Sequence, residues 1–177
     1  MDTVLKTLNN PRVSVKVQSL AALIATAAAV ALPQVCHLIG GRALGTALLP
    51  MHLPILLVGF LAGPLAGAAA GVLSPLASFA LTGMPLMVNL PLMMAELLVY
   101  GLTAGLMRNT KMSTMSKVLI AQIAGRLCYA AVLALAIYAF GNETLTMTSA
   151  LASSTSGIWG TLLQLISIPL IMKVMKR

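Results

Sequence analysis

Long apolar blocks alternate with short polar segments along this chain. The apolar blocks cover residues of about 15–35, 43–82, 86–107, 118–140 and 150–172. A membrane-spanning helix needs about 20 apolar residues, so four blocks predict one helix each and the long second block predicts two. The "LAGPLAG" segment supplies the break in that block, because Gly63 favours a helix end and Pro64 favours a helix start.

The pattern predicts an all-α integral membrane protein, a compact bundle of six helices in a single membrane domain over residues 1–177. The expected helices cover about 15–35, 46–62, 65–82, 86–107, 117–140 and 152–173. Basic residues then orient the bundle, since Lys and Arg concentrate in cytoplasmic loops. Six helices place nine basic residues on one side, namely Lys6, Arg12, Lys16, Arg108, Lys111, Lys117, Lys173, Lys176 and Arg177. Only Arg42 falls on the other side, so we expect both termini in the cytoplasm and a chain that crosses the membrane several times.

Composition agrees with a membrane location. The chain is 59% hydrophobic and only 8% charged, whereas soluble domains carry about 25% charged residues. The net charge of +8 would suggest nucleic acid in a soluble protein. Here the basic residues flank apolar segments, so the expected partner is anionic membrane lipid and not nucleic acid.

Small residues are frequent, and small side chains at four-residue spacing let membrane helices approach closely. In the first predicted helix, Ala21, Ala25 and Ala29 form one such stripe, and Ala27 and Ala31 form a shorter one. The residues alone leave two interpretations open. The stripe either packs within the chain or docks another membrane subunit.

Two charges lie deep inside apolar segments. At 1.5 Å per residue, Glu96 lies roughly 15 Å from the outer end of the fourth helix, and Arg126 lies roughly 14 Å from the inner end of the fifth. Gln164 in the sixth helix reaches a similar level, roughly 18 Å down. We expect Asn89 and Tyr129 to extend this polar layer outward, and the Trp159 indole to stack on a ring above it.

A charge at this depth is costly, so it usually faces the bundle interior and has a partner. Glu96 and Arg126 either neutralise each other and lock two helices together, or line a solute pocket, and the two roles are compatible. Arg has five donors, more than one carboxylate uses. His52, between Pro50 and Pro54, is either a structural histidine or a contact to the solute.

No motif for catalysis is evident. The chain lacks a phosphate-binding Gly-rich loop, an HExxH motif and a GxSxG motif, and it has only three acidic residues. We therefore expect no enzymatic activity, no cofactor and no metal site. ATP hydrolysis, if it drives the protein, must come from partner subunits.

Several segments together resemble the S components of energy-coupling factor (ECF) transporters. They are "LLPMHLPILLVGFLAGPLAGAAAGVLSPLASFALTGMP", "AELLVYGLTAGL", "AGRL" and "GIWGTLLQLISIPLI", with the alanine stripe before them. The resemblance covers nearly the whole chain. It implies a membrane protein that binds a water-soluble vitamin or similar micronutrient outside the cell and passes it inward with a T component and two ATPase subunits.

The resemblance also implies residue roles. The family's alanine motif, which contacts the T component, corresponds to Ala21 and Ala25, with Ala29 continuing it. The outer half of helices four to six and the outer loops form the family's substrate site, which corresponds to Asn89, Glu96, Arg126, Tyr129, Trp159 and Gln164, with His52 as a further contact. The "MHLPILLVGF" segment looks most like pantothenate-type S components, while pyridoxine, riboflavin and queuosine-precursor types stay open. The alternatives are a structural or assembly subunit without a solute site, and a small self-sufficient carrier.

Overall fold

The computed structural model describes residues 14–139 and 155–175, and its regular secondary structure in those ranges is helical. The helices are α1 (Val15–Leu48), α2 (His52–Ala62), α3 (Pro64–Thr82), α4 (Leu90–Leu106), α5 (Thr114–Tyr138) and α6 (Ile158–Met175). The all-α, six-helix prediction is confirmed. The helix break in the second apolar block falls where the sequence places it, with Gly63 at positive φ and Pro64 in the first turn of α3.

The first helix differs most from its predicted bounds. It continues through Pro33 to Leu48 instead of ending near residue 35, with a break at Gly40 and Gly41 where the backbone leaves helical geometry. The "CHLIGG" segment, which lies in the loop predicted after residue 35, is therefore mostly helical. A second helical segment then runs from Ala43 towards α2, and Leu49, in the left-handed conformation, turns the chain.

Within residues 14–139 and 155–175, five segments are long and apolar enough to cross a membrane: Val15–Gly41, Ala43–Ala62, Pro64–Thr82, Thr114–Tyr138 and Ile158–Met175. The sixth, α4, is shorter at 17 residues and carries Glu96. It lies at the centre of the bundle, against α2, α3 and α5. Large apolar side chains such as Leu38, Ile39 and Leu65 point outwards, as expected for a surface covered by lipid.

Glycines bring α4 into backbone contact with α3. A Cβ atom on Gly67 would collide with the carbonyl group of Gly101, and one on Gly71 would collide with the carbonyl group of Leu97. At the end of the same interface, a Cβ atom on Gly105 would collide with Pro64. The two helices are therefore antiparallel and pack backbone to backbone, which fixes the position of Glu96 relative to α3.

The end of the bundle at the α2–α3 turn carries basic residues. Arg108 and Lys111 lie in the α4–α5 connection. Lys117 is buried, and its ammonium group donates to the carbonyl oxygens of Arg108 (3.2 Å) and Thr110 (2.8 Å), which holds this connection against α5. Lys6, Arg12, Lys176 and Arg177 lie outside the described residues. The orientation of the termini across the membrane therefore stays a prediction.

The alanine stripe of α1 faces mainly inwards. Ala25 is 7% exposed and Ala29 is fully buried, in one hydrophobic cluster with Ala66 and Ala70 of α3, while Ala21 is half-buried against it. A side chain enclosed by its own chain offers no surface to a partner. Of the two interpretations that the sequence left open, this burial favours packing within the chain for Ala25 and Ala29. Their expected docking role stays a prediction that the burial does not support.

Replacement of Gly67 by alanine tests the backbone contact between α3 and α4. The new methyl group would meet a carbonyl group that cannot rotate away, and overpacking of this kind costs about 1–3 kcal/mol, more than the ~1 kcal/mol that alanine gains in helix propensity. We expect Gly67→Ala to lower the free energy of unfolding measured by SDS titration in mixed micelles. Ala69→Leu, at an exposed position of α3, should leave it within about 0.5 kcal/mol of the wild-type value. Equal stability of both variants would contradict the contact.

Candidate functional site

A cavity of about 490 Å³ lies at the end of the bundle opposite the α2–α3 turn. Its wall comes from the second half of α1, the start of α2, the last turns of α3, the segment before α4, and the middle of α5. Small-molecule sites usually occupy about 300–1,000 Å³. The size is therefore suitable for a vitamin-sized solute.

An ion pair forms the floor of the cavity. Nη1 of Arg126 on α5 lies 3.1 Å from Oε1 of Glu96 on α4. The Glu96 side chain is 3% exposed and the Arg126 side chain 20%, so the carboxylate is enclosed and the guanidinium partly reaches the open space. Burial in low dielectric strengthens the attraction, and the pair links two neighbouring helices at mid-depth.

His52 shares the same carboxylate oxygen. Its Nε2 lies 3.8 Å from Oε1 of Glu96, and its ring stacks edge-on against Tyr100, with centroids 5.0 Å apart and planes at 88°. Among the described residues, neither ring nitrogen of His52 makes a hydrogen bond, although the side chain is only 4% exposed. Oε1 of Glu96 also has no well-aligned hydrogen bond, despite its short distance to Arg126. The floor thus carries polar atoms whose hydrogen-bonding capacity is unused.

The structure brings five of the seven predicted contact residues together around this cavity: His52, Asn89, Glu96, Arg126 and Tyr129. Asn89 precedes the first turn of α4, and Tyr129 lies one turn after Arg126 on α5. Their place in the wall agrees with the predicted polar layer. Their contact with a solute stays a prediction.

Gln164 lies outside the cavity. Its side chain is 1% exposed, accepts a hydrogen bond from Nε2 of Gln122 (3.1 Å) and donates to the carbonyl oxygen of Leu49 (3.3 Å). Gln164 therefore provides a hydrogen-bond donor for the Leu49 carbonyl group at the turn between α1 and α2, and buried carbonyl groups need such a partner. Gln164 is thus not part of the cavity wall, because its depth does not fix which face of the helix it occupies. Its expected contact with the solute stays a prediction that this position does not support.

Trp159 also lies outside the cavity. Its side chain is 69% exposed near the start of α6, so the indole does not cover the polar floor as expected. Gly157 and Gly160 face inwards instead, and a Cβ atom on either would collide with Leu49 or Leu48. The small residues of the "GIWG" segment thus point towards the bundle and turn the tryptophan outwards.

Other polar residues of the wall were missed from the sequence: Gln34, His37, Thr46, Ser78 and Ser156. Gln34 falls near the end of the first predicted helix, and His37 falls in the loop predicted after it. Their spacing of three residues was the available signal, because residues three apart share one face of a helix. Tyr100, which does not line the cavity but packs against the His52 ring, was missed as well. Gly125 makes room for the Tyr100 ring, since a Cβ atom on Gly125 would collide with it.

The chemistry of this cavity is that of binding. Three methionines, Met51, Met84 and Met93, supply adaptable apolar walls above the charged floor. Among residues 14–139 and 155–175, no three His, Cys, Asp or Glu side chains are close enough together to hold a metal ion. The arrangement suits recognition of a solute that is part apolar and part hydrogen-bonding.

A double-mutant cycle tests the coupling of Glu96 and Arg126. Either Glu96→Leu or Arg126→Met alone leaves one charge without compensation, and we expect each to lower the free energy of unfolding by about 3 kcal/mol, the lower end of the range for a buried pair because Arg126 is partly exposed. The double variant removes both charges and should lose clearly less than the sum of the two single variants. Additive losses in SDS titration would show that the two charges do not depend on each other.

Comparison with known proteins identifies the family of this chain. The family described as "ECF transporter, substrate-specific component" matches residues 18–173, which is most of the chain and includes all six helices' central parts. No curated protein and no solved structure gives a significant match. The family is a transporter component and not an enzyme family. On the extent of this match, the chain belongs to the substrate-specific S components of ECF transporters.

Proposed function

We propose that this S component captures a water-soluble, vitamin-sized micronutrient in the cavity above Glu96 and Arg126. It would deliver the solute inwards together with a T component and two ATPase subunits, in a bacterial cytoplasmic membrane. The observation that carries the proposal is the cavity of about 490 Å³ above the Glu96–Arg126 ion pair, where Glu96 and His52 have hydrogen-bonding atoms that no described residue uses. A subunit with a purely structural role has no need of such a space.

The distribution of basic residues supports a cavity that faces the outside of the cell. The basic residues Arg108 and Lys111 lie at the end of the bundle that carries the α2–α3 turn, and the cavity lies at the other end. Since basic loops stay in the cytoplasm, the cavity would face the outside of the cell. The walls at that end include the break of α1 and the irregular segment before α4, and non-helical backbone is tolerated at membrane depth where it lines a cavity.

Docking of the T component would use the outer face of α1. Ala27 and Ala31 are exposed on this face, next to Leu23 and Ile24, which are about 60% exposed. Small side chains at four-residue spacing allow a second helix to approach closely. This exposed pair replaces the inward-facing Ala25 and Ala29 as the expected contact.

A tryptophan in the cavity wall should abolish solute binding. Thr46 and Ser19 are matched positions, because both are exposed on α1 and each hydroxyl group donates to a carbonyl oxygen of the preceding turn at 3.0 Å. Thr46 lines the cavity and Ser19 lies at the opposite end of the helix. We expect Thr46→Trp to weaken binding of the solute retained by the wild type at least about tenfold, a loss of about 1.4 kcal/mol.

The measurement is equilibrium binding to the purified protein in detergent or nanodiscs, with Ser19→Trp as the control that should bind like the wild type. If a folded Thr46→Trp variant keeps wild-type affinity, the cavity is not the binding site. If the wild type retains no small molecule and a vitamin panel gives no thermal shift, the structural-subunit function replaces the proposal.

A tryptophan on the outer face of α1 should block assembly. We expect Ala27→Trp to leave solute binding unchanged and to weaken association with the T component about tenfold, because the indole would hold the two helices apart. Ala131→Trp, at an exposed position of α5, is the control and should assemble normally. Co-purification with the partner subunits measures the effect. Normal assembly of Ala27→Trp would place the docking surface elsewhere.

A further inference from the structure

The charge balance of the cavity restricts its solute, provided that the proposed function holds. Of the described residues that line it, Glu96 is the acidic one and Arg126 is the one with a permanent positive charge. The two are already paired at 3.1 Å. Without a solute the floor is therefore close to neutral, so neither a charged head group of the solute nor a counter-ion is needed to balance it.

A negatively charged solute fits this floor poorly. To reach the guanidinium, a carboxylate or phosphate would have to approach the Glu96 carboxylate, and like charges repel strongly where burial lowers the dielectric constant. A cationic solute meets the converse problem, because Arg126 already neutralises the acidic group that would hold it. Both kinds of solute would have to compete with the charges of the existing ion pair.

The unused hydrogen-bonding atoms indicate what fits better. Oε1 of Glu96 is an acceptor with no aligned donor among the described residues. The two ring nitrogens of His52, which also make no hydrogen bond there, provide one donor and one acceptor in the neutral imidazole. A solute with an N–H or O–H group beside a carbonyl-type oxygen would satisfy these atoms without carrying a charge.

We propose that the cavity selects a solute that is uncharged at neutral pH and presents an N–H or O–H donor to Glu96 with a carbonyl-type acceptor next to it. The Met51, Met84 and Met93 side chains would pack against the apolar body of that solute. Carboxylate vitamins such as pantothenate, towards which the sequence points, are disfavoured because Arg126 is engaged by Glu96. The proposal thus narrows the substrate class of the same site.

The first experiment identifies the solute. The purified full-length protein is incubated with a deproteinised small-molecule extract of the cells that make it, washed, and examined by native mass spectrometry, and the released compound is identified by fragmentation. A compound that is neutral at pH 7 and has the donor–acceptor pair is the expected result. A carboxylate, a phosphate ester or an ammonium compound would overturn the inference while leaving the transport function intact. An empty protein that also fails to bind a vitamin panel would overturn the proposed function, and the inference with it.

The Glu96→Gln variant then gives a second test, in which the affinity for the solute is expected to fall for a neutral solute and to rise for an anionic one. Glutamine keeps the shape of the side chain but removes its negative charge. For a neutral donor solute, affinity should fall about tenfold, because the hydrogen bond to a charged carboxylate becomes a weaker one to a neutral amide oxygen. For an anionic solute, affinity should rise, because the repulsion is removed and the guanidinium is released. Increased affinity of the variant would therefore overturn the inference.

Two controls keep the test interpretable. Ser74→Ala removes a buried hydroxyl group that bonds to the Ala70 carbonyl oxygen within α3 and does not line the cavity, so its affinity should equal that of the wild type. Pantothenate and its uncharged alcohol, pantothenol, are a pair of probes that differ mainly in charge, and both can be tested on the wild type itself. Micromolar or tighter binding of pantothenate would contradict the inference without any variant, so a misfolded Glu96→Gln variant does not leave it untested.

Discussion

The buried ion pair between Glu96 and Arg126 is the interaction on which the rest of this structure depends. A single charge at mid-membrane depth is costly, and only a partner on a neighbouring helix within about 4 Å makes it tolerable. That requirement fixes the rotation of α4 against α5 and keeps both side chains inside the bundle. Nη1 of Arg126 lies 3.1 Å from Oε1 of Glu96, and the cavity opens directly above the two side chains. The site and the stability of the bundle therefore share the same two residues.

Close helix packing is what allows so short a bundle to hold this pair. Glycines let α3 and α4 touch through their backbones, so the 17-residue α4 is held at the centre, with Glu96 turned towards α5. At the other end of the bundle, the packing opens, because α1 breaks at Gly40 and Gly41 and the chain before α4 is irregular. The tight end provides rigidity and the open end provides volume. This division is suitable for a protein that binds a solute at one end and needs a fixed scaffold beneath it.

Hydrophobic pattern and helical rise were sufficient to predict the six helices and the common depth of Glu96 and Arg126, because both depend only on distance along the chain. Whatever depends on rotation about a helix axis was not predictable in the same way. Gln164 has the expected depth but faces the α1–α2 turn, and Trp159 faces outwards because Gly157 and Gly160 take the inner face. Ala25 and Ala29 likewise had the spacing of a docking stripe but lie in the core. The continuation of α1 beyond residue 35 was missed because the apolar block ends there, although the helix continues to Leu48 with a break at Gly40 and Gly41.

A crystal structure of the protein with its retained solute would show whether the solute binds above an intact Glu96–Arg126 ion pair. We expect solute density in the cavity, in hydrogen-bond contact with Glu96 or His52, and a distance between Glu96 and Arg126 that stays close to 3.1 Å. Density outside the cavity would contradict the assignment of the site. A guanidinium that has left Glu96 to hold an anionic group of the solute would contradict the role given to the ion pair.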